Sequence, residues 1–588
     1  LSSLSTTIKS IQDIMRKDDG VDGDAQRIGQ LTWMLFLKIF DQREEEWEDD
    51  AADRGETYVS PIPEACRWRN WAKYLEDEEG KRQPQIPASE LIDHVNGVVF
   101  RGLRSIDPDA SPQAKVIREL FADTYNYMKS GTLMLGVIEK LDEAVNFHDF
   151  RSRRQLGDIY EKILNDLRSA GNAGEFYTPR ALTEFMVDRV NPSLAKRETV
   201  MDPACGTGGF LTAAIEHLRH QLGRKASADD QGAIEKAIHG IEKKQLPHLL
   251  CVTNLLLHGI DVPSRIQHRN TLATGWNDWD RNARVDCIVT NPPFGGMEDE
   301  GVGADFPADV RTRETADMFL TLIVDRLLKD GGRCAVVLPD GTLFGEGVKA
   351  KVKKRLLEKC NLHTIVRLPN GVFNPYTGIK TNLLFFTKGK PTETIWYYEH
   401  PYPEGYKNYS KTRPLQIEEF EVEKAWWGTE ENGFADREEN EFAWPVDFKA
   451  KREAAEAKAK PHWDKAEALM NQAADVDLRV RDLRDDVKGL KDKGKRSKIE
   501  ERMEALKAEA EGLRQQAKDA QAAGDRIYWP IYNLDIPNPN APEAESHDPD
   551  ELLETYQGLL ADIEETRDQL RDQLAAALLH NTADGEQA

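Results

Sequence analysis

Asp286-Cys287-Ile288-Val289-Thr290-Asn291-Pro292-Pro293-Phe294 is the stretch from which the rest of this 588-residue chain is read. The apolar run from Val285 to Val289 predicts a fully buried strand, and two prolines stop it because neither can donate to a sheet ladder. The strand therefore ends on a rigid tip. There Asn291 offers a side-chain carbonyl, Pro292 a main-chain carbonyl on backbone fixed by the ring of Pro293, and Phe294 a flat face. Two acceptors beside an aromatic plate suit a planar amine. Both N–H bonds are held while the ring stacks, and the nitrogen lone pair turns out of conjugation and becomes nucleophilic. Taken alone, the same four residues also describe a strand-ending turn whose Phe packs in the core. A pocket for a second reactant beside the tip would separate the two readings.

Such a pocket is encoded upstream. Thr199-Val200-Met201 reads as a short strand, followed by Asp202-Pro203-Ala204-Cys205-Gly206-Thr207-Gly208-Gly209-Phe210 and an amphipathic helix from Leu211 to Leu222. Strand, Gly-rich turn and helix form the βα unit that lets a ligand approach backbone closely at the carboxyl end of a parallel sheet. A phosphate loop is excluded, since its Lys and Ser/Thr are missing and Asp202 would repel phosphate. A carboxylate there suits a cationic ligand. The next unit, Ile238-His239-Gly240-Ile241-Glu242, places Glu242 at a strand end where an acid grips ribose hydroxyls. By itself Glu242 reads more readily as a solvated carboxylate than as a ligand.

Asp-Pro-x-x-Gly-Thr-Gly-Gly-Phe followed by Asn-Pro-Pro-Phe resembles the S-adenosylmethionine-dependent DNA adenine-N6 methyltransferases. Gly174-Glu175-Phe176-Tyr177-Thr178-Pro179-Arg180 narrows the resemblance to the methyltransferase (M) subunits of type I restriction-modification systems, and the similarity runs from the helical N-terminus to Asn538-Pro539. The resemblance implies an α/β fold: a Rossmann-like methyltransferase core with an N-terminal helical domain and a C-terminal helical, coiled-coil region. It implies catalysis by Asn291, Pro292, Pro293 and Phe294, and S-adenosylmethionine held by Glu175, Phe176, Tyr177, Thr178, Pro179, Arg180, Asp202, Gly206, Thr207, Gly208, Gly209, Glu242 and Asn270, with no metal. The segment around Thr178 packs over the methionine end of the cofactor in that family, and Asn270 falls where members contact the cofactor's adenine. The implied partners are double-stranded DNA, a specificity subunit serving two M subunits, and a restriction subunit. The alternatives are a stand-alone methyltransferase acting on DNA, RNA or a protein amide, and a non-catalytic scaffold that binds the cofactor.

Charge bears on the partners. The net charge of −24 opposes tight solo binding to a polyanion, so if DNA is the substrate another protein is expected to bring it. The six cysteines form no C-x-x-C pair and several fall within apolar runs, which predicts reduced, buried thiols in a cytoplasmic protein without a disulfide framework or zinc site. No leader or membrane segment is evident in the sequence.

In chain order, residues 1 to about 165 read as a helical domain, with Ile28, Leu31, Leu35 and Ile39 at helical spacing until Glu44-Glu45-Glu46 ends the stripe in solvent. Arg151, Arg153 and Arg154 read as a phosphate contact or a solvated face. Thr178 is placed as an N-cap with Pro179 first in a helix reaching about Val190, which aims free N–H groups at a ligand carboxylate. Residues 166–445 are expected to form the catalytic domain. Within it, Gly295 to Val310 reads as a mobile loop that orders when a target base enters, and Lys349, Lys351, Lys353, Lys354 and Arg355 as a solvated basic face or a phosphate contact. Strands over Thr381–Thr387 and Thr394–Glu399 are expected to pair as a hairpin across Lys388-Gly389-Lys390-Pro391. Residues 446–588 are expected to hold an antiparallel coiled-coil hairpin, about 464–523 and broken at Lys493-Gly494-Lys495, then a Pro-rich connector and a terminal amphipathic helix at about 550–580.

Overall fold

The computed structural model describes residues 2–76, 80–144, 177–222, 227–374, 377–410, 412–488 and 492–541, with helical positions at Gly157, Tyr160 and Leu164 and at most of 553–573. They fall into two units, residues 1–537 and 538–588. Arg151, Arg153, Arg154, Glu175 and Phe176 lie outside the described residues.

The N-terminal part is helical because its apolar residues recur at helical spacing. Asp24–Asp53 buries Trp33, Phe36 and Phe40, and Pro112–Ala122 begins with Pro112 behind a Ser111 cap whose hydroxyl accepts from Ala114 N. Trp33 meets Phe100 edge-on at 5.1 Å. The acidic triplet does not end the first long helix in solvent. Glu44 is fully buried, accepting from Tyr58 Oη at 3.1 Å with Arg67 at 4.0 Å, and the helix runs on to Asp53. Local charge is a poor stop signal where neighbouring side chains supply partners.

Among the described residues nine strands make the central sheet: β1 (Val200–Asp202), β2 (Ile238–Glu242), β3 (Ile266–His268), β4 (Val285–Thr290), β5 (Leu328–Pro339), β6 (Cys360–Arg367), β7 (Thr381–Lys388), β8 (Thr394–Glu399) and β9 (Ala443–Asp447). Their spatial order is β9-β8-β6-β7-β5-β4-β1-β2-β3. From β3 to β5 all neighbours run parallel, and β7 is antiparallel to both β5 and β6. Both faces of the sheet are covered, so β4 reads as a continuous apolar run: Cys287 and Val289 face one core, while Ile288 faces the other. The chain moves outward from β1 to β3 and returns to β4 beside β1. That reversal opens a crevice at the carboxyl ends of β1 and β4, where open α/β sheets bind ligands.

Two expectations fail here. β7 and β8 are not a hairpin: β6 lies between them, pairing antiparallel with β7 and parallel with β8. Gly389 N donates to Lys359 O and Thr392 Oγ1 to Cys360 O, so the Gly-Pro turn docks on the start of β6 instead of reversing tightly. In the C-terminal hairpin the helices are Phe448–Lys488 and Lys493–Tyr528, longer than expected. Lys493-Gly494-Lys495 is the first turn of the second helix, capped by Asp492, whose side chain accepts from Gly494 N and Lys495 N. In the second unit, Leu553, Tyr556, Leu559, Leu560, Ile563 and Leu570 are exposed.

Candidate active site

The register of β1 and β4 decides the site. Val200 lies opposite Cys287 and Met201 opposite Ile288, so the loops after Asp202 and Thr290 leave the sheet side by side. A bond joins them at their roots: Thr290 Oγ1 donates to Asp202 Oδ1 at 2.6 Å, and Ala204 N donates to the same oxygen at 3.0 Å. Asp202 is buried, and burial pushes its carboxyl up to about 7 against the lowering effect of those two bonds. The turn beyond it uses left-handed backbone at Gly206 and Gly208, and a Cβ at Gly208 would meet Cys251 Sγ at 2.9 Å. Gly206 N donates to Glu242 Oε2 at 2.9 Å and Lys244 N to Oε1 at 2.7 Å, which aims the Glu242 carboxylate along the crevice. Burial raises Glu242 as well.

At the tip, Asn291 Nδ2 donates to Thr178 Oγ1 at 3.2 Å, while Asn291 Oδ1 is buried without a hydrogen-bond partner. Leaving a buried amide oxygen unpaired costs about 1–3 kcal/mol, a cost a donor from a ligand would remove. Thr315 Oγ1 donates to Pro293 O at 2.6 Å and fixes the proline pair. Phe294 stands edge-on to Phe373, ring centroids 6.2 Å apart. Asp202, Glu242, Asn270 and Asn291 line one cavity of about 240 Å³ with the glycine turn. Chemically it offers carboxylates along its length and an unpaired acceptor at one end.

The family model for the N-6 DNA methylases matches residues 151–469, and that for the HsdM N-terminal domain matches residues 4–141. The chain is 50% identical over 98% of its length, and 99% of the relative's, to the type I restriction enzyme EcoEI methylase subunit of Escherichia coli. The chain belongs to the type I methylase subunits of the N-6 DNA methylase family. Among solved structures, a modification subunit from Vibrio vulnificus YJ016, assigned to a type I restriction enzyme, shares 39% identity over 76% of this chain and 93% of its own, with a TM-score of 0.63. A chain from a study of complex assembly in the type I restriction-modification system shares 32% identity over 97% of this chain and 98% of its own, with a TM-score of 0.67.

In this methylase subunit Thr178, Asp202, Gly206, Thr207, Gly209, Glu242, Asn270, Asn291 and Pro293 all line the cavity. Pro292 is buried beside them, and Gly208 backs the turn against Cys251. Other expected residues point elsewhere. Arg180 pairs with Glu184 and Glu216 at 2.8 and 2.7 Å, and Tyr177 packs against the hydrophobic core. Thr178 is not a side-chain cap: the helix starts at Arg180 behind Pro179, and the Thr178 hydroxyl takes Asn291 instead. Capping and tip-holding compete for one oxygen, and the tip has it.

The methylase also uses residues that its motifs do not announce. Thr290, Thr315 and Phe373 brace the two loops, and Glu298 and Lys243 close the cavity's far end. Thr290 adjoins the tip but reads as an ordinary strand residue; Phe373 lies some eighty residues on and carries no local signal. The segment Gly295–Val310 is anchored rather than loose, because Phe306 and Val310 are buried with Trp276, whose main-chain N–H donates to Asp305, and Met297 bridges to Glu314. The basic helix is largely spoken for: Lys349 pairs with Glu314 and Asp317, Lys353 donates to the carbonyls of Leu343 and Gly345, and Arg355 pairs with Asp309 and Asp325. All six cysteines are buried free thiols. Among the described residues no helix is long and apolar enough to cross a membrane, and no acid, His or Cys cluster is placed to hold a metal.

Proposed function

We propose that this chain methylates N6 of an adenine swung out of duplex DNA, using S-adenosylmethionine, as the modification subunit of a type I complex whose sequence specificity resides in another subunit. The carrying observation is the buried, unpartnered Oδ1 of Asn291, a residue that lines the same cavity as Asp202 and Glu242. The donor set fits the cofactor: carboxylates at Asp202 and Glu242 suit an ammonium and ribose hydroxyls, and the glycine turn admits close approach. When bound, S-adenosylmethionine supplies a methyl group activated by a sulfonium.

The chain's own residues supply position. Base pairing hides N6, so the adenine has to leave the stack at a cost of a few kcal/mol, and stacking on Phe294 returns part of it. Asn291 Oδ1 and the carbonyl of Pro292 then accept the two N–H bonds, holding the lone pair out of conjugation. Thr178 fixes the Asn291 amide so that its oxygen, not its nitrogen, faces the amine. Most of the acceleration comes from this alignment.

In the assembly the specificity subunit brings DNA to two copies of this chain, and a restriction subunit completes the complex. The test is Asn291→Ala. Methyl transfer from tritiated cofactor, measured with the specificity protein present, is expected to fall by at least about 100-fold while S-adenosylhomocysteine binding survives. Retained turnover rejects the assignment.

A further inference from the structure

We infer that Glu298 receives the exocyclic amine of the cofactor's adenine, so that the segment leaving the catalytic tip also closes the far end of the cofactor cleft. This rests on the cofactor reading proposed above.

Strand order gives the direction. Along the sheet edge the carboxyl-end loops follow β4, β1, β2 and β3, presenting in turn the Asn291 tip, the Asp202–Gly209 turn, Glu242 and the Arg269–Leu272 loop. A nucleoside donor with its sulfur at the tip and its ribose on Glu242 carries its ring on toward the loop after β3. Asn270 is waiting there, but both ends of its amide are already engaged: Oδ1 accepts from Leu272 N at 3.0 Å, and Nδ2 donates to Glu298 Oε2 at 3.0 Å.

Glu298 arrives from the opposite side. It is 6% exposed and its main chain is held at both atoms, N donating to Arg313 O at 2.9 Å and O accepting from Arg313 Nε at 2.8 Å. Its carboxylate takes Lys243 Nζ at 3.0 and 3.2 Å, and the longer of these is the contact at Oε1. A carboxylate has about four lone-pair sites, so Oε1, with Lys243 as its one partner among the described residues, keeps acceptor capacity in a residue that lines the cavity. A ring amine brings two donors and needs acceptors. Lys243, the neighbour of Glu298 at this end, is a donor only and cannot take the amine. One segment thereby touches the cofactor's base and supports the tip that holds the target.

The experiment measures binding of S-adenosylhomocysteine and of its 6-oxo (inosine) counterpart to the full chain by calorimetry. The 6-oxo ligand swaps the two-donor amine for a carbonyl that would face the carboxylate acceptor to acceptor. Wild type is expected to favour the amine by roughly 10- to 100-fold. In Glu298→Ala that ratio should fall to within about threefold, while Glu298→Gln, which keeps a carbonyl, retains part of it. A residue that only shaped the loop would weaken both ligands equally and leave the ratio intact, and that result overturns the inference. It is overturned too if Asn270→Ala alone erases the ratio, or if wild type binds both ligands equally. A wild type that binds neither ligand removes the cofactor reading itself, and this inference with it.

Discussion

Asp202 accepts hydrogen bonds from Thr290 Oγ1 and Ala204 N, yet burial outweighs both and pushes its carboxyl from an ordinary 3.8 up to about 7. The sign of the consequence follows from the direction. A carboxyl ionised above 3.8 in the unfolded chain but only above about 7 in the fold costs stability as pH rises through that window. A ligand cation beside Asp202 reverses the preference, because it favours the ionised form. S-adenosylhomocysteine, which keeps the ammonium, should therefore bind more tightly as pH rises from about 6 to about 8, by up to about tenfold per unit below the pKa and little above it. Calorimetric titrations across that range check this, and Asp202→Asn should flatten the profile; a wild-type profile already flat would mean that no cation sits there. The sequence exposed Asp202 because a carboxylate before a glycine turn is an informative exception. It did not expose Thr290 as its partner, since a hydroxyl at the end of an apolar strand looks like any other strand residue.

Elements were legible where burial imposes a period and obscure where a few distant anchors do the holding. β4 and β7 stood out as apolar runs because both faces of the sheet are covered. The segment after the tip is the reverse case: glycines and acids dominate its composition, and scattered anchors tie it down, among them Phe306, Val310, the Asp305 contact to Trp276 and the bonds of Glu298 to Arg313. Sparse anchors leave no periodicity to read. The hairpin assigned to β7 and β8 failed for a related reason, because a turn sequence cannot reveal that a third strand will insert between its arms. Phe306→Ala is accordingly expected to act on the segment more than on the sheet. The cavity it leaves beside Trp276 removes up to about 3–5 kcal/mol of local packing, amide exchange should rise over residues 297–314, and S-adenosylhomocysteine affinity should fall about tenfold as Glu298 loses its seat. Hydrogen-exchange mass spectrometry with and without ligand is the measurement; unchanged protection across 297–314 would show that the segment is held by something other than this aromatic contact.

For the whole molecule, charge was the most instructive quantity in the sequence, and side-chain pairing strengthens its message. Acids outnumber bases 103 to 79, and the basic helix Val348–Lys359 commits Lys349, Lys353 and Arg355 to acids and carbonyls within the fold. Each phosphate contact needs a cation able to displace a counterion, so a basic helix committed within the fold adds little to DNA binding, and the net acidity opposes the rest. The full chain alone should accordingly show no saturable binding to duplex DNA at about micromolar concentration in about 0.1 M salt, and methyl transfer at least about 100-fold below that of the chain co-expressed with a specificity protein. Fluorescence anisotropy and tritium transfer, run side by side on both preparations, separate the remaining possibilities. Comparable activity without the partner would make this a stand-alone methyltransferase. Cofactor binding with no transfer in either preparation would make it a scaffold. Activity that appears only when the partner supplies the missing positive surface is what a −24 chain with a complete amine-holding tip requires.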